Sequence, residues 1–216
     1  MLVTNAVYLL SAYEGHVSWC MPYIEGCTTI SQAARSGNSI FIYRATMIAY
    51  GVLLIWFWIY AHQWLNLLYD RTYKIARIML WLGIIGALFL IIYIDFLGTT
   101  GEVNRFMRRY GILVFFTFTP LAQLLLLLQQ FEISSLATVA KIKTVSLNSR
   151  ALKFQLFILL LMLLAGIISI ILDIAQLKTY ETENIVEWNF SLLMNLYFLS
   201  MVFIWKDYRY YLKNDV

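Results

Sequence analysis

Charged residues are scarce in this chain. Only 13% of its 216 residues are Asp, Glu, Lys or Arg, whereas about 25% is usual for a soluble domain. Hydrophobic residues make up 62% of the chain, and a soluble protein of this length has too much surface to bury so many of them. The composition therefore excludes an ordinary soluble domain and fits a chain whose solvent is the lipid bilayer.

Cysteine, histidine and proline are also rare, with two residues of each. Zinc and haem motifs need Cys and His at closer spacings, so neither a metal ion nor a cofactor is predicted. The sequence also lacks a phosphate loop and a nucleophile elbow. The net charge of +4 is interpreted as loop topology, and nucleic acid is not expected as a partner because no soluble domain with a basic face is present. These absences leave open whether the protein is an enzyme.

Long apolar runs, in contrast, are abundant. A helix needs about 20 residues to cross the hydrocarbon of a bilayer, and five runs reach that length. The runs are continuous and rich in Leu, which is not the alternating pattern of membrane β-strands. The sequence predicts an all-α integral membrane protein, with an N-terminal segment (1–38), a bundle of five transmembrane helices (39–205) and a tail (206–216). The predicted helices are 39–60, 75–97, 111–131, 154–174 and 186–205.

The basic residues divide unevenly between the two ends of these helices. Cytoplasmic loops carry an excess of Lys and Arg, so the end with ten of the 16 basic residues is predicted to be cytoplasmic. The N-terminal segment is then outside and the tail inside. The ten are Arg71, Lys74, Arg77, Lys141, Lys143, Arg150, Lys153, Lys206, Arg209 and Lys213. The other six are Arg35, Arg44, Arg105, Arg108, Arg109 and Lys178.

The outside N-terminal segment holds two pairs of residues with chemical potential. Cys20 and Cys27 are separated by six residues and can form a disulfide in an oxidising compartment, the alternative being two unpaired thiols. His16 and Glu14 lie two positions apart and could act as an acid/base pair. A simple polar contact is the other interpretation of that pair.

Four of the charged residues within the apolar runs lie towards the predicted outer side. A charge inside a membrane is costly, so each such residue is a functional candidate. Arg44 and Asp95 are the deepest, and pairing would offset part of their desolvation. We expect Arg44, Asp95 and Glu187 to face inward around a polar pocket beneath the N-terminal segment. Asp173, at the outer end of the fourth helix, belongs to the same polar cluster.

Other polar and small residues have structural explanations. Gln123 and Asn195 are expected to make hydrogen bonds between helices. Gly83, Gly86 and Gly166 are expected to let neighbouring helices approach closely. The aromatic residues of the first helix are predicted to form a belt at the inner membrane interface. They are Trp56, Trp58, Tyr60 and Trp64.

Several of these segments resemble the FRAG/DRAM/Sfk family of polytopic membrane proteins, which includes a GPI-anchor lipid-remodelling factor and autophagy modulators. The run Cys20-Met-Pro-Tyr-Ile-Glu-Gly-Cys-Thr-Thr-Ile-Ser-Gln-Ala-Ala34 looks like the family's outside loop. Ile42-Tyr-Arg44 looks like the Arg-bearing helix start that follows it. Similar helix endings occur at Tyr60-Ala-His62-Gln-Trp64 and at Trp205-Lys-Asp207-Tyr.

The resemblance implies lipid handling at the outer or lumenal leaflet, with Arg44, Glu187 and Asp207 at the matching positions. The family usually has six helices, and the helix that would precede the outside loop is not predicted here, because the apolar stretch 1–10 is too short. The implied substrate is a phospholipid or a lipid-anchored molecule.

Three functions remain in competition. The first is binding or remodelling of a lipid or lipid-anchored substrate at the outer leaflet, with membrane lipids as partners. The second is a non-catalytic membrane subunit or scaffold that packs against other membrane proteins in a larger complex. The third, a small transporter, is disfavoured because neither broken helices nor an inverted repeat are visible. The expected location is a bacterial inner membrane or a eukaryotic endomembrane.

Overall fold

A computed structural model describes residues 1–69, 74–139 and 147–205 of the chain. Every regular element in these residues is a helix. Three short helices form the N-terminal segment, and five long helices follow. The short helices are α1 (Leu2–Tyr13), α2 (Pro22–Glu25) and α3 (Ile30–Ala34); the long helices are α4 (Ser39–Tyr69), α5 (Lys74–Asp95), α6 (Glu102–Val139), α7 (Ser149–Ile174) and α8 (Tyr180–Trp205).

The five long helices are each long and apolar enough to cross a membrane. Each predicted run falls within one of them, except that the second run extends two residues too far. Helix α5 ends at Asp95, and a turn follows that contains Gly98 with φ of +78°, a conformation that glycine adopts without strain. Helices α4 and α6 are longer than the apolar runs, because helical hydrogen bonds do not require apolar side chains. The predicted tail, 206–216, lies outside the described residues.

Apolar side chains cover the outer surface of the bundle. In the second half of α7, Leu163 is 61% exposed, Ile170 61% and Ile174 77%. A soluble protein rarely exposes so large a continuous apolar surface. The surface therefore fits a bundle surrounded by lipid.

Glycines allow α5 to pack closely against its neighbours. A Cβ atom on Gly83 would lie 2.3 Å from the indole ring of Trp58, and one on Gly86 would lie 2.9 Å from the hydroxyl of Thr119. Both glycines thus have the role expected of them. The expectation for Gly166 is not met by any helix in the described part of the chain, where a Cβ atom on this residue would meet nothing within 4 Å.

The N-terminal segment covers one end of the bundle, where α4, α6 and α8 begin and α5 and α7 end. We call this the capped end. The Nδ2 of Asn184 donates to the carbonyl of Gly26 at 2.7 Å, and the indole N–H of Trp188 donates to the carbonyl of Thr28 at 2.8 Å. The hydroxyl of Ser39 donates to the carbonyl of Val7 at 3.1 Å. The starts of α8 and α4 therefore both bind the N-terminal segment, which we call the cap.

The opposite end of the bundle is packed around aromatic, amide and thioether groups. Trp56 and Tyr60 are exposed, as a membrane-interface belt requires, but Trp58 and Trp64 are only 0% and 4% exposed. The prediction of a four-residue belt is therefore wrong for these two. Trp58 lies on the face of α4 opposite to Trp56 and Tyr60. Trp64 follows them at a spacing of four residues, but its ring packs edge-on against that of Trp205 of α8 at a centroid distance of 6.0 Å.

Candidate functional site

The cap is fastened by a disulfide and by a buried tyrosine. Cys20 and Cys27 are joined by a disulfide, with their Cα atoms 6.4 Å apart. The hydroxyl of Tyr8 accepts a hydrogen bond from the N–H of Cys20 at 2.7 Å and donates to the carbonyl of the same residue at 2.8 Å. These contacts fix the loop that carries α2 against α1.

Trp188 is the side chain around which the cap closes. Its indole is fully buried, and the rings of Tyr8 and Tyr23 pack edge-on against it at centroid distances of 5.9 and 5.2 Å. The hydroxyl of Tyr23 exchanges hydrogen bonds with the side chain of Asn5. Burial raises the pKa of the Tyr23 hydroxyl, and the hydrogen bond with Asn5 opposes that shift. The hydroxyl therefore stays protonated at neutral pH.

Glu14 and His16 join the end of α1 to the start of α4. The carboxylate of Glu14 accepts hydrogen bonds from the backbone N–H and the Nδ2 of Asn38, at 3.1 and 2.7 Å. The Nε2 of His16 lies 3.5 Å from the same carboxylate. A Cβ atom on Gly37 would collide with both side chains. This close arrangement gives the pair a structural explanation, while its role as an acid/base pair stays a prediction.

Arg44 does not contact the carboxylate of Asp95. Its Nη2 donates to the backbone carbonyl of Asp95 at 3.2 Å and to that of Leu97. The first carbonyl is that of the last residue of α5 and the second lies in the turn that follows. The last carbonyls of a helix have no partners within it, and the helix dipole favours a cation there. The side chain of Asp95 is exposed, as is that of Asp173. Backbone carbonyls thus take the place of the Asp95 carboxylate that the sequence suggested as the partner of Arg44.

Glu187 is the one member of the predicted cluster that lines an internal cavity. The cavity has a volume of about 110 Å³ and lies between the cap, α4, α5, α6 and α8. Glu187 is half-buried, and it lines the cavity together with Ile30 at the start of α3. Among the described residues no Lys, Arg or His lies within 4 Å of this carboxylate.

Two tyrosines and an amide complete the polar wall of the cavity. Tyr43 and Tyr93 line the same cavity as Glu187, and both rings are buried. The hydroxyl of Tyr50 donates to Oδ1 of Asn195 at 3.2 Å, which links α4 to α8. Asn195 therefore makes the interhelical hydrogen bond expected of it. Gln123 does so too, since its Nε2 donates to the carbonyl of Met194 at 3.1 Å.

A second, larger space lies at the surface of the capped end. This cleft has a volume of about 500 Å³, and four arginines line it together with the turn between α5 and α6. We call it the arginine cleft. Arg105, Arg108 and Arg109 come from the first turns of α6, and Arg35 follows α3. No Asp or Glu is among the described residues that line it.

From the sequence, Arg105, Arg108 and Arg109 belong to the charged residues that collect at the outer end, where contact of helix ends with water is the simpler explanation. The spacing of Arg105, Arg108 and Arg109 places them on one face of a helix, and that signal was present in the sequence. The approach of Arg35 from the cap was not visible there. Tyr93 and Ile112 line both the arginine cleft and the internal cavity, so the two spaces are adjacent.

Comparison with known proteins gives no match. No family model matches the chain, and no curated protein or solved structure does either. The class that the fold defines is therefore an all-helical protein with five helices long and apolar enough to span a membrane. Within the part of the chain that the structure describes, no group of three His, Cys, Asp or Glu side chains is placed to hold a metal ion.

Proposed function

We propose that this chain is an integral membrane protein of the FRAG/DRAM/Sfk type that binds or remodels a lipid or lipid-anchored substrate at the capped end. The observation that carries the proposal is the carboxylate of Glu187. It is half-buried in the bundle without a cationic partner among the described residues, and it lines a cavity. An uncompensated carboxylate in a protein interior is costly, and such groups concentrate at functional sites.

The size of the cavity limits what it accepts. One water molecule needs about 10–15 Å³ of such volume, so a cavity of about 110 Å³ holds several water molecules or one polar part of a ligand. A whole lipid does not fit. We infer that a hydroxyl-bearing part of the substrate enters, that Glu187 accepts a hydrogen bond or a proton from it, and that Tyr43 and Tyr93 orient it.

The capped end is proposed to face the outside of the cell or the lumen of an organelle. The disulfide between Cys20 and Cys27 supports this orientation, because disulfides persist in oxidising compartments. Single cysteines at Thr100 and Ser149, introduced in a Cys20→Ser/Cys27→Ser background, test it. Thr100→Cys should react with an impermeant maleimide in intact cells and Ser149→Cys only after permeabilisation; the reverse pattern would refute the orientation.

Retention of lipid through purification tests the function. The wild-type protein, purified in a mild detergent, should carry a lipid species enriched over the bulk membrane when its extract is analysed by mass spectrometry. Glu187→Gln keeps the shape of the side chain and should reduce that enrichment by about tenfold, because a charge-assisted hydrogen bond is lost.

Glu183→Gln is the matched control. Glu183 lies one turn earlier on α8, is exposed and pairs with Lys178 at 3.5 Å, so its replacement should leave lipid retention unchanged. Thermal unfolding of both variants checks that they are folded. A wild-type extract with the composition of the bulk membrane, or equal losses in the two variants, would contradict the proposal.

The alternative function, a non-catalytic subunit of a larger membrane complex, is favoured by α7. Beyond Met162 no residue of this helix is buried, and the space around Gly166 is open. A helix from another subunit could pack there, since small residues permit close helix contacts in membranes. Gly166→Phe should then dissociate the complex, as observed by native mass spectrometry, and leave lipid retention intact. A monomeric wild-type protein would contradict this alternative.

A further inference from the structure

The arginine cleft has more positive charge than the surrounding protein compensates. Arg35, Arg105, Arg108 and Arg109 line it, and none of them forms an ion pair with an Asp or Glu among the described residues. On α6 the three arginines are neighbours at spacings of three and four residues, where like charges destabilise a helix. An anion in the cleft would remove this repulsion.

One of the four arginines already has a structural task. The Nη1 of Arg108 donates to the carbonyl of Phe96 at 3.3 Å and to that of Thr99, so it holds the turn that follows α5. Arg35, Arg105 and Arg109 make no comparable contact in the described part of the chain, and all three are exposed. Three guanidinium groups therefore remain for a ligand.

The convergence of two separate elements distinguishes this cleft from a solvated helix face. Arg35 comes from the cap, some 70 positions before Arg105, and the two meet across the turn between α5 and α6. Thr100 and Gly101 of that turn also line the cleft, directly before the first residue of α6. The positive end of the dipole of this long helix therefore adds to the field of the arginines.

We propose that the arginine cleft binds a phosphate group. Guanidinium groups match the oxygens of phosphate with paired hydrogen bonds, and a volume of about 500 Å³ accommodates a headgroup-sized ligand. The phosphate belongs either to a lipid headgroup or to a free anion. The lipid source rests on the proposed function, because the adjacent cavity would then receive another polar part of the same molecule past Tyr93 and Ile112.

The test uses the full-length protein in detergent and the short-chain lipid dihexanoyl phosphatidic acid, with dihexanoylglycerol as the phosphate-free counterpart. Binding is measured by native mass spectrometry and by calorimetric titration. The wild-type protein should bind the phosphatidic acid at least tenfold more tightly than the diacylglycerol. Arg105→Gln/Arg109→Gln should lose that preference, since both side chains are exposed and their replacement leaves the packing of α6 intact.

Arg77→Gln/Arg150→Gln is the matched control, because it removes two exposed positive charges from the opposite end of the bundle. It should bind like the wild type. Equal affinity for the two lipids and no binding of inorganic phosphate, or equal losses in the two double variants, would overturn the proposal.

Inorganic phosphate distinguishes the two sources. If it binds alone and displaces the phosphatidic acid, the cleft recognises the phosphate group by itself. If the phosphatidic acid binds and millimolar inorganic phosphate does not displace it, the source is the lipid headgroup. Glu187→Gln separates this inference from the proposed function: a phosphate preference that survives in this variant, with no lipid enrichment in the wild-type extract, supports the cleft and refutes the function.

Discussion

The two ends of the bundle bury polar groups in different ways. At the capped end, a carboxylate and tyrosine hydroxyls line a cavity, and loop carbonyls accept hydrogen bonds from Trp188 and Asn184. At the opposite end, the polar groups are neutral amides in contact with sulfur. The Nε2 atoms of Gln130 and Gln155 both donate to the thioether of Met201, at 3.2 and 3.1 Å.

This difference distinguishes the proposed site at the capped end from the packed polar groups at the opposite end. A thioether is a weak acceptor, so the amides around Met201 gain little from their hydrogen bonds, and their Oε1 atoms have no partner in the described residues. The capped end combines charge with free volume beside it, which a ligand can use. Under the proposed function, buried polar groups beside free volume form the site, whereas buried polar groups without such volume belong to the packing of the helices.

The largest effect is expected from Trp188→Ala. The fully buried indole holds the cap through the carbonyl of Thr28 and through the rings of Tyr8 and Tyr23. Its removal should lower the free energy of unfolding by about 3–5 kcal/mol and abolish lipid retention. Chemical unfolding in detergent measures the first effect, and mass spectrometry of extracted lipid measures the second.

Replacing each of two tryptophans by phenylalanine measures how much the hydrogen bond of Trp188 contributes to that loss. Trp188→Phe loses a hydrogen bond and leaves the carbonyl of Thr28 unpaired, whereas the indole N–H of Trp58 has no partner among the described residues. Trp188→Phe should therefore cost about 1–3 kcal/mol more than Trp58→Phe. Equal costs would show that the cap is held by packing alone.

An intermediate effect is expected at the glycines. A methyl group on Gly83 would collide with the indole of Trp58, so Gly83→Ala should cost about 1–3 kcal/mol. Gly166→Ala meets open space and should be neutral or stabilise the helix by up to about 1 kcal/mol, because alanine is the better helix former. Thermal unfolding of the two variants compares them. A destabilised Gly166→Ala variant would indicate a partner helix on α7.

The smallest effect is expected at Gln155. Gln155→Leu removes a weak hydrogen bond to sulfur together with an unpaired carbonyl oxygen, so the free energy of unfolding should change by less than about 1 kcal/mol. Asn195→Leu is the counterpart at the capped end, and it should cost about 1–3 kcal/mol because the hydroxyl of Tyr50 loses its acceptor. A loss of unfolding free energy that is larger for Gln155→Leu than for Asn195→Leu would contradict the difference between the two ends.

The long helices can be predicted from the amino-acid sequence alone. A run of about 20 apolar residues can satisfy its backbone in lipid only as a helix, so length and composition predicted all five long helices of the structure. Close packing at Gly83 and Gly86 and the interhelical hydrogen bonds of Gln123 and Asn195 were also predictable, because small and neutral polar residues inside such helices have few other uses.

Which side chains contact one another depends on how the helices pack and is not visible in the sequence. Periodicity places Arg105, Arg108 and Arg109 on one face of a helix, but it cannot show that Arg35 approaches the same face from the cap. It also cannot show that the acceptors for Arg44 are carbonyls at the end of α5, since every helix end offers such groups. The positions of Glu187 in the cavity and of Gly166 in open space likewise follow from how the helices pack. A sequence fixes the face on which a side chain lies, whereas its partner depends on the element that packs against that face.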